Sequence, residues 1–207
     1  MDYEKLCKEA DEVSKAKGWQ DVPRSFDGDI ALIHEELSEA LGEYRSHKGL
    51  DESYYELTVV GFDGKKTTDV FSAKEKRERE DSVDLAGRPL IFKPCGIPSE
   101  LADVVIRIAQ YCGTNKVNLP SWMANISIRV WPREYLRGLV DFEVFIRYAH
   151  KLVAAVENDA SQHERFAWCV KYVADFCASN KVDLDSTIAE KMGYNKTREY
   201  RHGGRKI

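Results

Sequence analysis

The chain has 207 residues, the usual length of one domain or of one domain that carries an insertion. Hydrophobic residues make up 43% and charged residues 32%, which excludes a chain disordered throughout, and a formal net charge of -4 disfavours a protein that coats nucleic acid. No apolar run has the roughly 18 residues of a membrane span, and the N-terminus is charged. The five cysteines include no C-x-x-C pair, which favours reduced thiols. We therefore expect a cytoplasmic protein with no nucleic-acid or membrane partner.

Two helices are predicted near the N-terminus. Residues 3–17 place apolar and small residues among Lys and Glu, which predicts a helix that ends before Gly18. A turn-rich segment, 18–29, follows. From about 30 to 44 apolar residues recur at the helical period, which predicts an amphipathic helix. Its apolar face holds Ile30, Ile33, Leu37, Ala40, Leu41 and Tyr44.

A β-hairpin is predicted over 54–72. Two runs rich in β-branched and aromatic residues flank Asp63-Gly64, a favourable hairpin turn. The charged run 74–81 predicts a solvated helix or a mobile loop, and a cluster of Pro and Gly follows it. We interpret 46–98 as an insertion into a helical domain.

The second half of the chain is predicted to be helical. Ser99 stands where an N-cap is expected, ahead of a helix from Glu100 to Cys112. Further helices are predicted over about 122–130, 134–157, 162–179 and 185–194. The basic, Gly-containing residues 195–207 are predicted to form a tail.

An internal repeat relates two helical segments. Residues 100–119 align with 165–184, with matching Ala, Val, Cys, Asn-Lys-Val and Leu positions. The second copy lacks the carboxylates of the first and has the character of a scaffold. We therefore expect one domain, 1–207, with a degenerate second helical repeat over about 122–184.

Two of the predicted helices carry carboxylates three residues apart. The first holds Glu35, Glu36 and Glu39, and the second holds Glu100 and Asp103. Residues at this spacing share a helix face, so each pair can reach one metal ion from one side. If the two apolar faces pack together, the acidic edges converge and require a cation. Ligation by oxygen alone favours Mg²⁺ or Mn²⁺ over zinc or iron.

Two other interpretations of these acids stay open. Carboxylates at this spacing are also typical of a solvated helix surface. Arg107 lies one turn beyond Asp103, so an ion pair within the helix competes for that carboxylate.

Three blocks of the sequence resemble a known family. They are IALIHEELSEALGEYR (30–45), KPCGIPSELADVVIRIAQYCG (93–113) and KMGYNKTREYRHGGRKI (191–207). With the pattern E-E-x-x-E followed by E-x-x-D, they are similar to the MazG-like family of all-α nucleoside triphosphate pyrophosphohydrolases, in its bacterial and phage branch. The three blocks cover about a quarter of the chain.

The resemblance implies an all-α fold built on a four-helix bundle, here with a duplicated helical hairpin and the β-hairpin insertion. It implies hydrolysis of (deoxy)nucleoside triphosphates to monophosphate and pyrophosphate, in nucleotide-pool sanitation or phage nucleotide metabolism. By the family motif, Glu36, Glu39, Glu100 and Asp103 hold Mg²⁺, which Mn²⁺ can replace. Glu35 is the candidate to orient or deprotonate the attacking water.

The C-terminal block supplies the candidate substrate-binding residues. Lys191 and Asn195 are four apart on one helix face, and the arginines suit bidentate contacts to phosphate. The full set is Lys191, Asn195, Arg198, Tyr200, Arg201 and His202. A disordered basic tail is the alternative for the residues after Tyr200. Trp19 and Phe26 are candidates either for stacking on a base or for anchoring the core.

Bundles of this family are often completed by two subunits, so we expect a homo-oligomer, with a dimer favoured. Two other functions stay open. One is a catalytically inactive nucleotide-binding module on the same fold, and the other is a helical protein-interaction module with surface acids. Metal titration separates these functions, because an interaction module gains no thermal stability from Mg²⁺ or Mn²⁺.

Overall fold

Helices make up most of the chain. The computed structural model describes residues 1–61, 63–84, 87–126, 132–159 and 163–201. The helices in these ranges are α1 (Tyr3–Ala16), α2 (Phe26–Arg45), α3 (Ala73–Glu78), α4 (Ile97–Thr114), α5 (Leu119–Asn125), α6 (Arg133–Gly138), α7 (Phe142–Ala154), α8 (Glu164–Ser179) and α9 (Leu184–Thr197). The strands are β1 (Tyr54–Val60), β2 (Lys66–Ser72) and β3 (Lys93–Cys95). Across the described ranges, none of the helices combines the length and apolar character needed to cross a membrane.

Helix α4 lies at the centre of the core. Of its 18 residues 14 are buried, and α1, α2 and α9 all pack against it. On α2 the buried apolar residues Ile33, Leu37 and Ala40 recur at the helical period and face this core. Helix α2 begins at Phe26, earlier than the predicted start near 30, because the Ser25 hydroxyl accepts the Gly28 backbone N–H at 3.1 Å. The packing of α2 on α4 determines where their polar edges meet.

Two predicted helix boundaries are wrong. The α4 helix begins at Ile97 after Gly96, so Ser99 is an internal, buried residue and not the N-cap. The predicted helix over 134–157 is instead two helices, α6 and α7. The helix is interrupted between them because Asp141 caps α7. Its carboxylate accepts the Val144 backbone N–H at 3.1 Å. Residues 127–131, within the helix predicted over 122–130 and just beyond it, lie outside the described ranges.

The turns after α4 and α8 have the same local structure. An Asn is the C-cap of each helix, Asn115 for α4 and Asn180 for α8. The residue that follows it, Lys116 or Lys181, has a positive φ of 57° or 62°. The next backbone N–H then donates to the carbonyl five residues earlier, at 2.8 Å in one turn and 2.9 Å in the other. Asn118 and Asp183 cap the helices that follow, α5 and α9. The two aligned segments of sequence therefore form matching helix–turn–helix units.

The segment between α2 and α4 forms an antiparallel sheet with strand order β2-β1-β3. The hairpin of β1 and β2 agrees with the predicted one, whereas the three-residue strand β3 was not predicted. Tyr55, Leu57 and Phe92 form a small separate core beneath the sheet. Part of the charged run is helix α3, which begins with a capping box between Ser72 and Glu75. Strand β3 leads directly into α4, so the sheet adjoins the acidic end of that helix.

Candidate active site

The polar edges of α2, α4 and α9 meet around one pocket of about 320 Å³. We call it the acidic pocket. Its lining residues are Trp19, Leu32, Glu35, Glu36, Glu39, Lys93, Glu100, Asp103, Ile106, Arg107, Gln110, Lys191, Tyr194, Asn195 and Arg198. All five carboxylates of the two sequence motifs are in this set, because α2 and α4 pack through the apolar faces that their acidic edges flank.

Three of the predicted metal ligands lie close together. Glu36, Glu39 and Glu100 each offer a carboxylate oxygen, and these oxygens all lie within 4.8 Å of one another. Glu36 and Glu100 are each only 5% exposed, whereas Glu39 is open to solvent. Oxygen donors at this spacing suit a hard divalent cation. Glu35, on the adjacent position of α2, is exposed at the rim of the same pocket.

Burial disfavours the charged form of the two buried glutamates. It raises the pKa of Glu100 to about 8, and the charges of Asp103 and Glu39 add to this rise while that of Lys191 opposes it. Burial likewise raises the pKa of Glu36 to about 7, with a further contribution from the charge of Asp103. With pKa values in this range both carboxyl groups are partly protonated near neutral pH, so a bound cation would release protons and restore their charge.

The fourth predicted ligand, Asp103, binds a lysine. Its Oδ2 lies 3.0 Å from Nζ of Lys191, which is 3.9 Å from Glu100. The same ammonium donates to the Ser99 hydroxyl at 2.8 Å and to the Pro94 carbonyl at 3.3 Å. Lys191 is only 3% exposed. Lys191, which is predicted to bind substrate, thus places a positive charge against two carboxylates of the acidic pocket.

Arg107 pairs across the helix interface rather than within its own helix. Its Nε donates to Glu36 Oε1 at 2.8 Å, linking α4 to α2. An ion pair this buried stabilises the fold only if both partners stay, and loss of one leaves an uncompensated charge. The intrahelical pair with Asp103 considered from the sequence is therefore replaced by a contact that spacing alone does not show.

Two of the predicted substrate-binding residues lie in the pocket with polar groups that can still bind a ligand. Arg198 has no carboxylate within 4 Å in the described part of the chain, and its guanidinium lies 5.6 Å from the ring centre of Trp19. The Asn195 side chain is buried, and its Oδ1 has no hydrogen-bond partner among the described residues. A buried acceptor of this kind requires a donor, which a water or hydroxyl of a bound ligand would supply.

The end of the described chain lies elsewhere. Tyr200 donates its hydroxyl to Asp21, and Nη2 of Arg201 lies 2.9 Å from the same carboxylate. The Arg201 backbone N–H also donates to the Lys17 carbonyl at 2.9 Å. These contacts hold both residues against the loop after α1. Neither residue is among the lining residues of the acidic pocket. His202 lies outside the described residues.

Several lining residues were not predicted to belong to the site. Arg107 and Gln110 follow Glu100 and Asp103 at helical spacing, so continuing that series along α4 would have found both. Lys93 stands in the quoted block 93–113, but nothing in the residue pattern distinguishes it from an ordinary surface lysine. Only the pairing of β3 with β1 brings it to the pocket.

The acidic pocket thus combines clustered carboxylates with basic side chains, an arrangement able to bind a divalent cation together with an anionic ligand. Comparison of the chain with models of protein families, with curated proteins and with solved structures found no match.

Proposed function

We propose that the protein is a Mg²⁺-dependent nucleoside triphosphate pyrophosphohydrolase, the activity that its resemblance to the MazG-like family implies. The observation that carries this proposal is the close group of Glu36, Glu39 and Glu100 in a pocket that also holds Arg198. Polyphosphate hydrolysis needs both features, because a metal ion and cations together must offset the charge of the phosphates.

The donor set fits the proposed metal. Glu36, Glu39 and Glu100 would hold Mg²⁺ or Mn²⁺, and Asp103 in the same pocket is the fourth candidate ligand. When bound, the metal supplies positive charge where negative charge develops on the phosphate oxygens. The raised pKa values of Glu36 and Glu100 agree with a site built for a cation that these side chains lack on their own.

The remaining lining residues have distinct proposed roles. Glu35 is exposed at the rim, where its carboxylate can accept a proton from water that attacks the α-phosphorus. Arg198 and Asn195 would bind the phosphates or the sugar, and Lys191 would stabilise phosphate charge once its acidic partners bind metal. The products are then a nucleoside monophosphate and pyrophosphate.

The finer fold and the setting also belong to this proposal. The core of α1, α2, α4 and α9 would correspond to the bundle of the family, in a homo-oligomer with a dimer favoured. The protein would act in the cytoplasm, in nucleotide-pool sanitation or phage nucleotide metabolism.

One observation favours a second candidate, a catalytically inactive nucleotide-binding module. Lys191 already supplies a positive charge to Asp103 and Glu100. A fold that relies on this ammonium in place of a metal would bind anions without hydrolysing them.

A panel of NTPs and dNTPs with Mg²⁺, followed by identification of the products, tests the proposal. We expect monophosphate and pyrophosphate with no diphosphate, and in ¹⁸O-water the label should enter the monophosphate. Orthophosphate as the first product would contradict attack at the α-phosphorus. Nucleotide binding without any product would favour the inactive module. If Mg²⁺ and Mn²⁺ raise the Tm neither alone nor together with nucleotide, the proposed metal site is excluded.

A further inference from the structure

The sheet contributes a cation to the acidic pocket. Among the described residues four basic side chains line this pocket: Arg107 comes from α4, Lys191 from α9, and Arg198 directly follows α9. The fourth, Lys93, is the first residue of β3 and therefore belongs to the segment that separates the two acidic helices. None of the metal and substrate ligands proposed above comes from this segment.

Lys93 differs from the helical cations in its availability. Arg107 and Lys191 are each paired with a carboxylate on another helix, and Arg198 lies over an aromatic ring. The Lys93 side chain is 45% exposed, and its Nζ is 3.3 Å from one carboxylate, that of Glu56. An ammonium has three donors, so it can retain this partner and still bind an anion.

The backbone of β3 is nevertheless firmly placed. Lys93 is the register partner of Glu56 in the antiparallel pairing of β3 with β1. The next residue, Pro94, accepts the Ser99 hydroxyl through its carbonyl at 2.8 Å and the Lys191 ammonium at 3.3 Å. Strand β3 is thus attached both to the sheet and to the helices that carry the acidic cluster. A partly exposed side chain on a fixed strand suits an anion-binding contact.

The order of residues along α4 gives the pocket a direction. Glu100, near the N-terminus of α4, is followed along the helix by Asp103 and then by Gln110, which lies about 15 Å from Glu100 along the axis. Lys93 precedes Glu100 and lies close enough for the charge of that glutamate to influence it. Gln110 and Trp19 line the far end. The carboxylates therefore separate the exposed ammonium of Lys93 from an end that holds an aromatic ring and an amide side chain, with the guanidinium of Arg198 over the ring.

On the basis of the proposed function, we infer that Lys93 binds the pyrophosphate end of the substrate, the β- and γ-phosphates that leave together. With the α-phosphate at the carboxylate cluster, one side of the pocket must accept the nucleoside and the other the leaving pyrophosphate. The exposed ammonium of Lys93 matches the anionic side. The sheet segment thus selects substrates with a phosphate chain that extends beyond the α-phosphate.

Calorimetric titration with inorganic pyrophosphate in the presence of Mg²⁺ tests this inference directly. Lys93→Ala should weaken pyrophosphate binding about tenfold, which corresponds to roughly 1.4 kcal/mol. Lys93→Arg should retain most of the affinity, because it keeps the charge. Lys66→Ala removes an exposed lysine of β2 in the same sheet and should leave the affinity unchanged. Titration with a nucleoside monophosphate should give the same affinity for Lys93→Ala as for the wild type.

The outcomes separate this inference from the proposed function. If Lys93→Ala binds pyrophosphate like the wild type, if it loses monophosphate binding equally, or if the wild type binds no pyrophosphate, the inference is wrong. Wild-type protein that releases no product from any NTP, yet binds pyrophosphate through Lys93, would refute the hydrolytic function and leave the assignment of Lys93 intact. Equal circular dichroism spectra for all variants would show that the comparison concerns binding rather than folding.

Discussion

Substitution of Lys191 by Met tests the electrostatic account of the acidic pocket most directly. Burial by itself lowers the pKa of Lys191, but the charges of Asp103 and Glu100 outweigh it, so this pKa is raised and the folded protein holds the ammonium form. Lys191→Met keeps an unbranched side chain that is one heavy atom shorter and removes the charge. It leaves Asp103 without its 3.0 Å partner and Ser99 without a 2.8 Å hydrogen bond.

Breaking a buried ion pair from one side costs about 3–5 kcal/mol. Asp103 is 16% exposed and so keeps some contact with solvent, and we therefore expect the lower value of about 3 kcal/mol. In a chain of this size that loss lowers Tm by roughly 6–12 °C. A divalent cation can replace the missing charge, so Mg²⁺ should raise the Tm of Lys191→Met more than that of the wild type.

The assay is thermal unfolding followed by circular dichroism, with EDTA and with a series of Mg²⁺ concentrations. Lys196→Met is the matched control, because Lys196 is an exposed residue of the same helix, α9. It should lower the unfolding free energy by less than about 0.5 kcal/mol. A loss below about 1 kcal/mol for Lys191→Met, or an equal response of both variants to Mg²⁺, would refute the view that this ammonium neutralises the cluster.

Three further predictions concern the same pocket. Glu39→Gln should abolish Mg²⁺-dependent hydrolysis without lowering the Tm of the metal-free protein, because Glu39 is exposed and its charge opposes ionisation of Glu36 and Glu100; residual turnover near the wild-type rate would remove Glu39 from the ligand set. Arg198→Ala should lower kcat/KM by roughly 10- to 100-fold, whereas deletion of 201–207 should have a smaller effect, mainly on KM. Unchanged steady-state kinetics in both variants would show that residues 198–207 take no part in substrate binding or turnover. The pKa values of Glu36 and Glu100 are raised to about 7 and about 8, so the folded metal-free protein binds protons that the unfolded chain releases above its ordinary pKa of 4.5. Their contribution to stability is therefore complete below that value and lost as the pH rises to 8, while Mg²⁺ affinity increases over the same range, as calorimetry at pH 6 and 9 should show.

Periodicity and turn chemistry account for most of what the sequence predicted of the fold. The helical period of α2 and the Asp63-Gly64 turn are local signals, and both structures form close to where these signals stand. Strand β3 escaped prediction because it has only three residues, one of them Pro94, and exists only by pairing with β1. The interruption of the helix before Asp141 was not predicted either, because a cap residue within an apolar run leaves the helical period of the run unchanged.

In the candidate site, too, features set by spacing within one helix were predicted and contacts between helices were not. Spacing placed Glu36, Glu39 and Glu100 on helix edges next to apolar faces, and the packing of those faces brings their oxygens together. The partners of the basic residues could not be read from spacing, because Arg107 and Lys191 each bind a carboxylate on another helix. Pairing across helices depends on distances between elements, which a pattern within one element does not contain.

The balance of charge in the acidic pocket bears on the order of binding. Its lining includes five carboxylates and four basic side chains, so the described residues leave it with a formal charge close to neutral. Metal alone would then meet repulsion from the basic residues, and a triphosphate, with about four negative charges, would meet repulsion from the carboxylates. Two divalent ions and a triphosphate together cancel nearly all of each other's charge, and even one ion halves the charge that the triphosphate brings into the pocket. Each should therefore increase the affinity of the other, by the same factor, and a metal–nucleotide complex is the species that the charges of this pocket fit best.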